Sequence, residues 1–120
     1  MTVTVEQLRD HAFRLADEAR SGSALNWAAK ELFFVAFHAV CRECGKVPTN
    51  YVDNHGPLIR ELEAEGRAVL AKHLAALERL RVRAVEYPPD EDFSLEDVAQ
   101  ARVETLVVLR DLGLEAPELH

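Results

Sequence analysis

The stretch Leu32-Phe33-Phe34-Val35-Ala36-Phe37-His38-Ala39-Val40-Cys41 is apolar at every position but His38. It sits inside a longer helical pattern from about Ser23 to Cys44, with Gly45 placed as the residue that ends it. A surface helix shows one apolar stripe, whereas this one is apolar almost all round, so it reads as a central helix with neighbours on several sides. The run falls far short of the roughly 20 residues that cross a bilayer, and no membrane span is predicted.

The flanking segments supply the neighbours. Thr4 with Gln7 three residues on fits a capping box, and Val5, Leu8, Ala12, Leu15 and Ala19 follow at helical intervals until Ser21-Gly22. After the central helix, Lys46 to Asn54 reads as a loop containing Pro48. Asn54 is placed to cap a short helix from about His55 to Glu65, with Pro57 tolerated in its first turn and Gly66 ending it. A fourth stripe, Val69, Leu70, Leu74, Leu77, Leu80 and Ala84, runs out before Pro88-Pro89. Ser94 with Asp97 opens a fifth helix whose stripe is Leu95, Val98, Arg102, Leu106 and Leu109, ending at Gly113. Arg102 interrupts that stripe and is expected at its margin, stem packed and head in water. No segment alternates with the period of a half-buried strand. The expected fold is therefore all-α: an antiparallel up-and-down bundle of about five helices, formed by residues 1–120 as a single domain with the second helix inside.

Composition narrows the function. The chain has 120 residues, 48% hydrophobic and 29% charged, with only five Gly and five Pro, which suits one globular domain and excludes collagen-like, mucin-like and disordered classes. Lys and Arg number 14 against 21 Asp and Glu, a net charge of −7 that opposes indiscriminate binding to nucleic-acid backbone while leaving room for a local basic patch. No glycine-rich phosphate-binding loop is present, so P-loop and dinucleotide-binding functions drop out. The first residues, Met-Thr-Val-Thr-Val-Glu, show no basic segment followed by an apolar one, and a cytoplasmic location is expected. Two cysteines are too few to staple a fold and should stay reduced there.

Several side chains invite chemical readings. His38, Cys41, Cys44 and His55 are the right types for zinc, but residues six apart on a helix lie about 240° from each other, so His38 and Cys44 cannot share a face. Cys41 and Cys44 lie near a helix C-terminus, which opposes thiolate formation, and they read as small packed hydrophobes. Neither a metal nor any other cofactor is expected. Trp27, Phe33, Phe34 and Phe37 read as core and subunit interface, and an exposed part of such a helix favours a homodimer or another partner. His55 and His73 can titrate near neutral pH, but alone they identify no chemistry. Arg79, Arg81 and Arg83 point in different directions on their helix and either meet a phosphate or favour the helix C-terminus as cations. Tyr87 either stacks on a ligand or seals the end of the bundle. Asp90-Glu91-Asp92 reads as solvated loop charge.

Taken in order along the chain, these residues resemble a known family. Phe33-Phe34-Val35-Ala36-Phe37-His38-Ala39 is similar to the "YYAxFHA" signature in the second helix of HEPN domains, the helical bundles of prokaryotic toxin–antitoxin and nucleotidyltransferase systems. A glycine-containing loop follows, then Asn54-His55 like the family's "TH" segment. Leu80-Arg81-Val82-Arg83-Ala84-Val85-Glu86-Tyr87 resembles the "LRxRADY" or "RNxxxH" end of the fourth helix. The order and spacing of these segments carry the resemblance across nearly the whole chain.

The resemblance implies two alternatives. Catalytic HEPN members are metal-independent ribonucleases with an Arg-x4–6-His motif, often doubled by a homodimer so that two such ends meet in a cleft. The histidine exchanges protons with the ribose hydroxyl or leaving oxygen while the arginine neutralises the developing charge. In this chain Arg81 matches the arginine, but Glu86 stands at the histidine position and Val82 at that of the usual Asn. The reading preferred from the sequence is therefore a non-catalytic binding or regulatory module, partner of a nucleotidyltransferase or toxin–antitoxin type system and able to bind nucleotide or RNA. Its ligand site would lie around Arg81, Arg83, Glu86 and Tyr87, with His38 of the central helix nearby. A ribonuclease would use Arg81 with Glu86 in place of the histidine, and a purely structural interaction bundle would need none of these residues.

Overall fold

The computed structural model describes residues 3–86, the last by its backbone alone, and 93–114. Five α-helices run through them: α1 (Val5–Glu18), α2 (Ser23–Glu43), α3 (Gly56–Ala64), α4 (Ala68–Glu86) and α5 (Leu95–Asp111). The fold is an all-α bundle, and no described helix is long and apolar enough to cross a membrane. The expected loop 88–92 lies outside the described residues.

Local signals set the helix ends. Thr4 Oγ1 accepts from the Gln7 N–H at 3.1 Å while the Gln7 side chain accepts from the Thr4 N–H at 2.9 Å, a complete capping box. Ser94 and Asp97 repeat it at the start of α5. Gly45 takes φ 68° after α2, and the Lys46 N–H returns to the Cys41 carbonyl at 2.8 Å, which satisfies an end carbonyl at a position where a side chain would be strained. Two details differ from the sequence expectation. The segment read as plain loop contains a 3-10 turn at Pro48–Asn50. Helix α3 begins at Gly56 with His55 as its cap, and Asn54 Oδ1 instead accepts from the Gly56 N–H at 3.0 Å, closing the turn two residues on.

Helix α2 packs against α1, α4 and α5. Leu32, Phe33, Val35, Ala36, Phe37, Ala39, Val40 and Cys41 are buried, as a central helix requires. Chain direction follows from the cross-helix pairs. Glu6 meets Arg42, Asn26 meets the Ala84 carbonyl and Phe33 meets Arg81, while His73 meets Glu104 and Arg83 meets Asp97. Thus α1/α2, α2/α4 and α4/α5 are antiparallel neighbours.

The α5 stripe is rotated from the one expected. Its buried residues are Val98, Ala101, Glu104, Thr105, Val108 and Leu109, and Leu95 is half exposed. Thr105 can enter the core because its hydroxyl donates to the Ala101 carbonyl at 2.7 Å, and the neighbouring Ala101 leaves space for α2. Arg102 lies at the margin as expected, its guanidinium 5.2 Å from the Phe13 ring and paired with Asp17. Val69 of the α4 stripe is exposed, while Leu70, Leu74, Leu77 and Ala84 are buried.

Candidate functional site

A groove of about 210 Å³ opens between α2, α4 and the segment that leads into α3. Its floor comes from α2. Phe33 and Phe37, one turn apart, are buried with their rings stacked at 5.9 Å. Phe34 and His38 form the next stripe round the helix and stand at the mouth, their rings 4.3 Å apart. Lys30 and Val52 complete the rim.

The far wall is Arg81 of α4. Its guanidinium lies 5.5 Å from the centre of the Phe33 ring, a cation-π placement. Glu78, one turn earlier, accepts from Arg81 Nη2 at 2.7 Å and from Nε at 3.2 Å. The same carboxylate takes His55 Nδ1 at 3.0 Å on the Oε2 that receives Arg81 Nε. The His55 ring is wedged edge-on between Phe33 and Phe37, at 4.9 and 5.0 Å. Glu78 therefore clamps a cation from its own helix and an imidazole from the entrance of α3 onto one aromatic floor. A carboxylate on Nδ1 fixes the ring orientation and leaves Nε2 as the other working edge.

Burial pushes the His38 imidazole below its ordinary pKa, so at neutral pH the ring is uncharged. The groove thus combines the Arg81 guanidinium, the Lys30 ammonium, which lies 4.3 Å from the centre of the Trp27 ring, one uncharged imidazole, one clamped imidazole and the exposed Phe34 ring. Such a set can hold a planar group by stacking and an adjoining anion by charge-assisted hydrogen bonds.

Of the residues chosen from sequence, the structure brings Arg81 and His38 together. It separates Arg83 from them, because residues two apart on a helix point about 200° from each other. Arg83 turns to α5, where it donates to Asp97 at 3.1 and 3.2 Å and sits 5.5 Å from the Phe93 ring. Burial works against the Asp97 charge, but the Ser94 N–H and Arg83 outweigh it and hold the carboxyl below its ordinary range. The Glu86 side chain and Tyr87 lie outside the described residues. Sequence reasoning missed Glu78, Lys30 and the role of His55. The Glu78–Arg81 spacing of three was a readable signal; the approach of His55 across 23 positions was not.

The two thiols are elsewhere. Cys41 is buried, its pKa pushed up to about 11 by burial, and Cys44 is raised for the same reason, so both stay protonated and pack as apolar groups. Among the described residues no three His, Cys, Asp or Glu side chains stand close enough to share a metal. Set against family models, curated proteins and solved structures, the chain matches none.

Proposed function

We propose that this chain is a non-catalytic, HEPN-like binding module that holds a nucleotide, or one unpaired base of an RNA, in the α2/α4 groove, and that it regulates a partner enzyme of the nucleotidyltransferase or toxin–antitoxin type. The observation that supports this reading is the half-buried Arg81 guanidinium held against the Phe33 ring by Glu78, beside Lys30, the exposed Phe34 and the partly exposed His38. Aromatic faces stack on any base, and a neighbouring cation takes its phosphate. At about 210 Å³ the groove falls below the roughly 300–1,000 Å³ of drug-sized pockets and suits a single ring system.

One observation favours the ribonuclease as a second reading: His38, an uncharged imidazole, lines the same groove as Arg81. In that reading His38, rather than the Glu86 expected from sequence, takes the proton of the ribose hydroxyl as its oxygen bonds to phosphorus, the bond from phosphorus to the leaving oxygen breaks, the imidazolium returns a proton to that oxygen, and Arg81 meets the charge on the phosphate.

The test is a labelled single-stranded RNA, with EDTA present, mixed with the parent protein and the Arg81→Ala, Arg83→Ala and His38→Gln variants. The module reading expects intact, bound RNA, binding weakened at least about 10-fold by Arg81→Ala and unchanged by Arg83→Ala. Cleavage lost in both Arg81→Ala and His38→Gln would establish the ribonuclease instead. Absence of binding to RNA and to mononucleotides would leave a purely structural bundle and overturn both.

A further inference from the structure

The two cations that border the α2/α4 groove, Lys30 and Arg81, are not equivalent. Both Glu78 oxygens accept from Arg81, so that guanidinium enters the groove with its charge already met and its position fixed. Lys30 is held differently. Among the described residues its ammonium makes no ion pair, and what stabilises its charge is the face of Trp27, 4.3 Å from the ring centre. Trp27 belongs to the preceding turn of α2 and does not line the groove; with Leu15, Glu18 and Ser23 it walls the hollow between α1 and α2. Neither Glu18 of that hollow nor Glu31, the next residue along the chain, pairs with Lys30. The Lys30 side chain thus lies on the groove rim while its charge is drawn back to a ring outside the groove.

On the reading of the groove as a base site, on which this step rests, we infer that Lys30 is its phosphate-recognising residue. With the groove empty the ammonium rests on Trp27; when a base stacks at Phe34, the ammonium leaves the indole for the phosphate attached to that base. The groove therefore takes a nucleotide, or a nucleotide unit of an RNA, in preference to a nucleoside, and Trp27 changes its surroundings each time the site fills.

Reach, strength and charge all favour this exchange. Phe34 stands at the groove mouth one turn beyond Lys30, a rise of about 6 Å, which a flexible four-carbon stem spans by rotation. A cation-π contact at a solvent-accessible ring is weaker than a charge-assisted hydrogen bond to phosphate, so the ammonium trades a weak partner for a strong one. The chain as a whole carries a net charge of −7, whose field opposes an approaching anion. With Arg81 answered by Glu78 and His38 uncharged, the attraction has to come from a cation without a carboxylate, and Lys30 is that cation.

The test is an NMR titration of the isotope-labelled full chain with ribonucleosides, their monophosphates and a short single-stranded RNA that lacks terminal phosphates. Backbone amides of the groove give the dissociation constants, and the indole N–H of Trp27, the single tryptophan, reports the ring separately. Monophosphates should bind at least about 10-fold more tightly than nucleosides and move the indole resonance, which nucleosides leave in place. Lys30→Met, on a partly exposed side chain, should abolish that preference without weakening the nucleosides, and its ligand-free indole resonance should lie near the position that phosphate produces in the parent. Trp27→Leu removes the resting place and should tighten monophosphate binding about 2- to 5-fold. Dependence on Lys30 with the RNA but not with the monophosphates would make the phosphate one within a chain. Equal binding with and without phosphate, a phosphate preference that survives Lys30→Met, or a filled groove with an unmoved indole would each overturn the inference and leave the base site standing. Binding of none of these compounds would sink the base site itself, and this inference with it.

Discussion

Helix α4 forms two seams of opposite character. Toward α2 it presents Arg81 to an aromatic floor and leaves a groove; toward α5 it presents His73 and Arg83 to carboxylates. On the α5 side two charged pairs face each other: Arg83 pairs with Asp97, and Glu104, nearly buried, receives His73 on one oxygen and Gln100 on the other at 2.8 Å. The Arg81 side chain is 22% exposed and that of Arg83 is 44% exposed, although the two are separated by a single residue. The cross-helix polar pairs on the α5 side join one helix to the next. The α2 side draws its carboxylate, Glu78, from α4 itself, so the clamp holds Arg81 in place without filling the space above the rings. The α5 seam pairs its charges across helices, whereas the α2 seam, joined by Asn26 Nδ2 donating to the Ala84 carbonyl at 2.8 Å, keeps a charged wall at its groove.

The strongest way to break the contrast is Phe33→Ala. It removes the floor under Arg81 and His55 and empties a core position, and it should cost about 3–5 kcal/mol of stability in chemical denaturation. On the other seam, His73→Ala strips Glu104 of its cross-helix partner and should cost about 2 kcal/mol, because a nearly buried carboxylate loses a donor. His73→Ala combined with Glu104→Leu should recover much of that loss if the pair serves only to join α4 to α5.

Arg81→Ala and Arg83→Ala sharpen the comparison. Each should change stability by about 1 kcal/mol or less, since both pairs are solvent-accessible. Binding of a fluorescent mononucleotide should suffer only from Arg81→Ala. Equal losses from the two would mean that the seams are not functionally distinct.

The smallest effect concerns acid. Asp97 is held below its ordinary carboxylate pKa in the folded chain, so its contribution is present above the unfolded value and is lost as pH falls through the folded one. Asp97→Asn lacks that titration, so its melting temperature should fall less steeply than the parent's below about pH 4.

Much of the α5 seam was legible in part and misjudged in part. Ser94 and Asp97 announced the start of α5, but the stripe chosen from apolar residues omitted Glu104 and Thr105, both buried. A charged or hydroxyl side chain enters a core only when partners await it. Those partners, His73 and the Ala101 carbonyl, come from a different helix in one case and from the helix backbone in the other. On the α2 seam Arg81 and His38 could be picked out by type and order, whereas the clamp could not, because His55 reaches Glu78 only after the intervening α3 has packed on α4.

By itself the sequence determined what is settled within a few residues: helices capped by Thr4 and Ser94, the reversal at Gly45, and the apolar girth that puts α2 in the centre. These follow from hydrogen bonds between residues three to five apart and from side-chain chemistry, neither of which needs the rest of the chain. Tertiary structure alone decided which stripe of α2 stays uncovered, which of two neighbouring arginines faces the aromatic floor, and that His55 and Arg81 share one carboxylate. Those outcomes depend on how helices rotate about their axes to bury the most apolar surface, and that rotation is set by every packed residue at once.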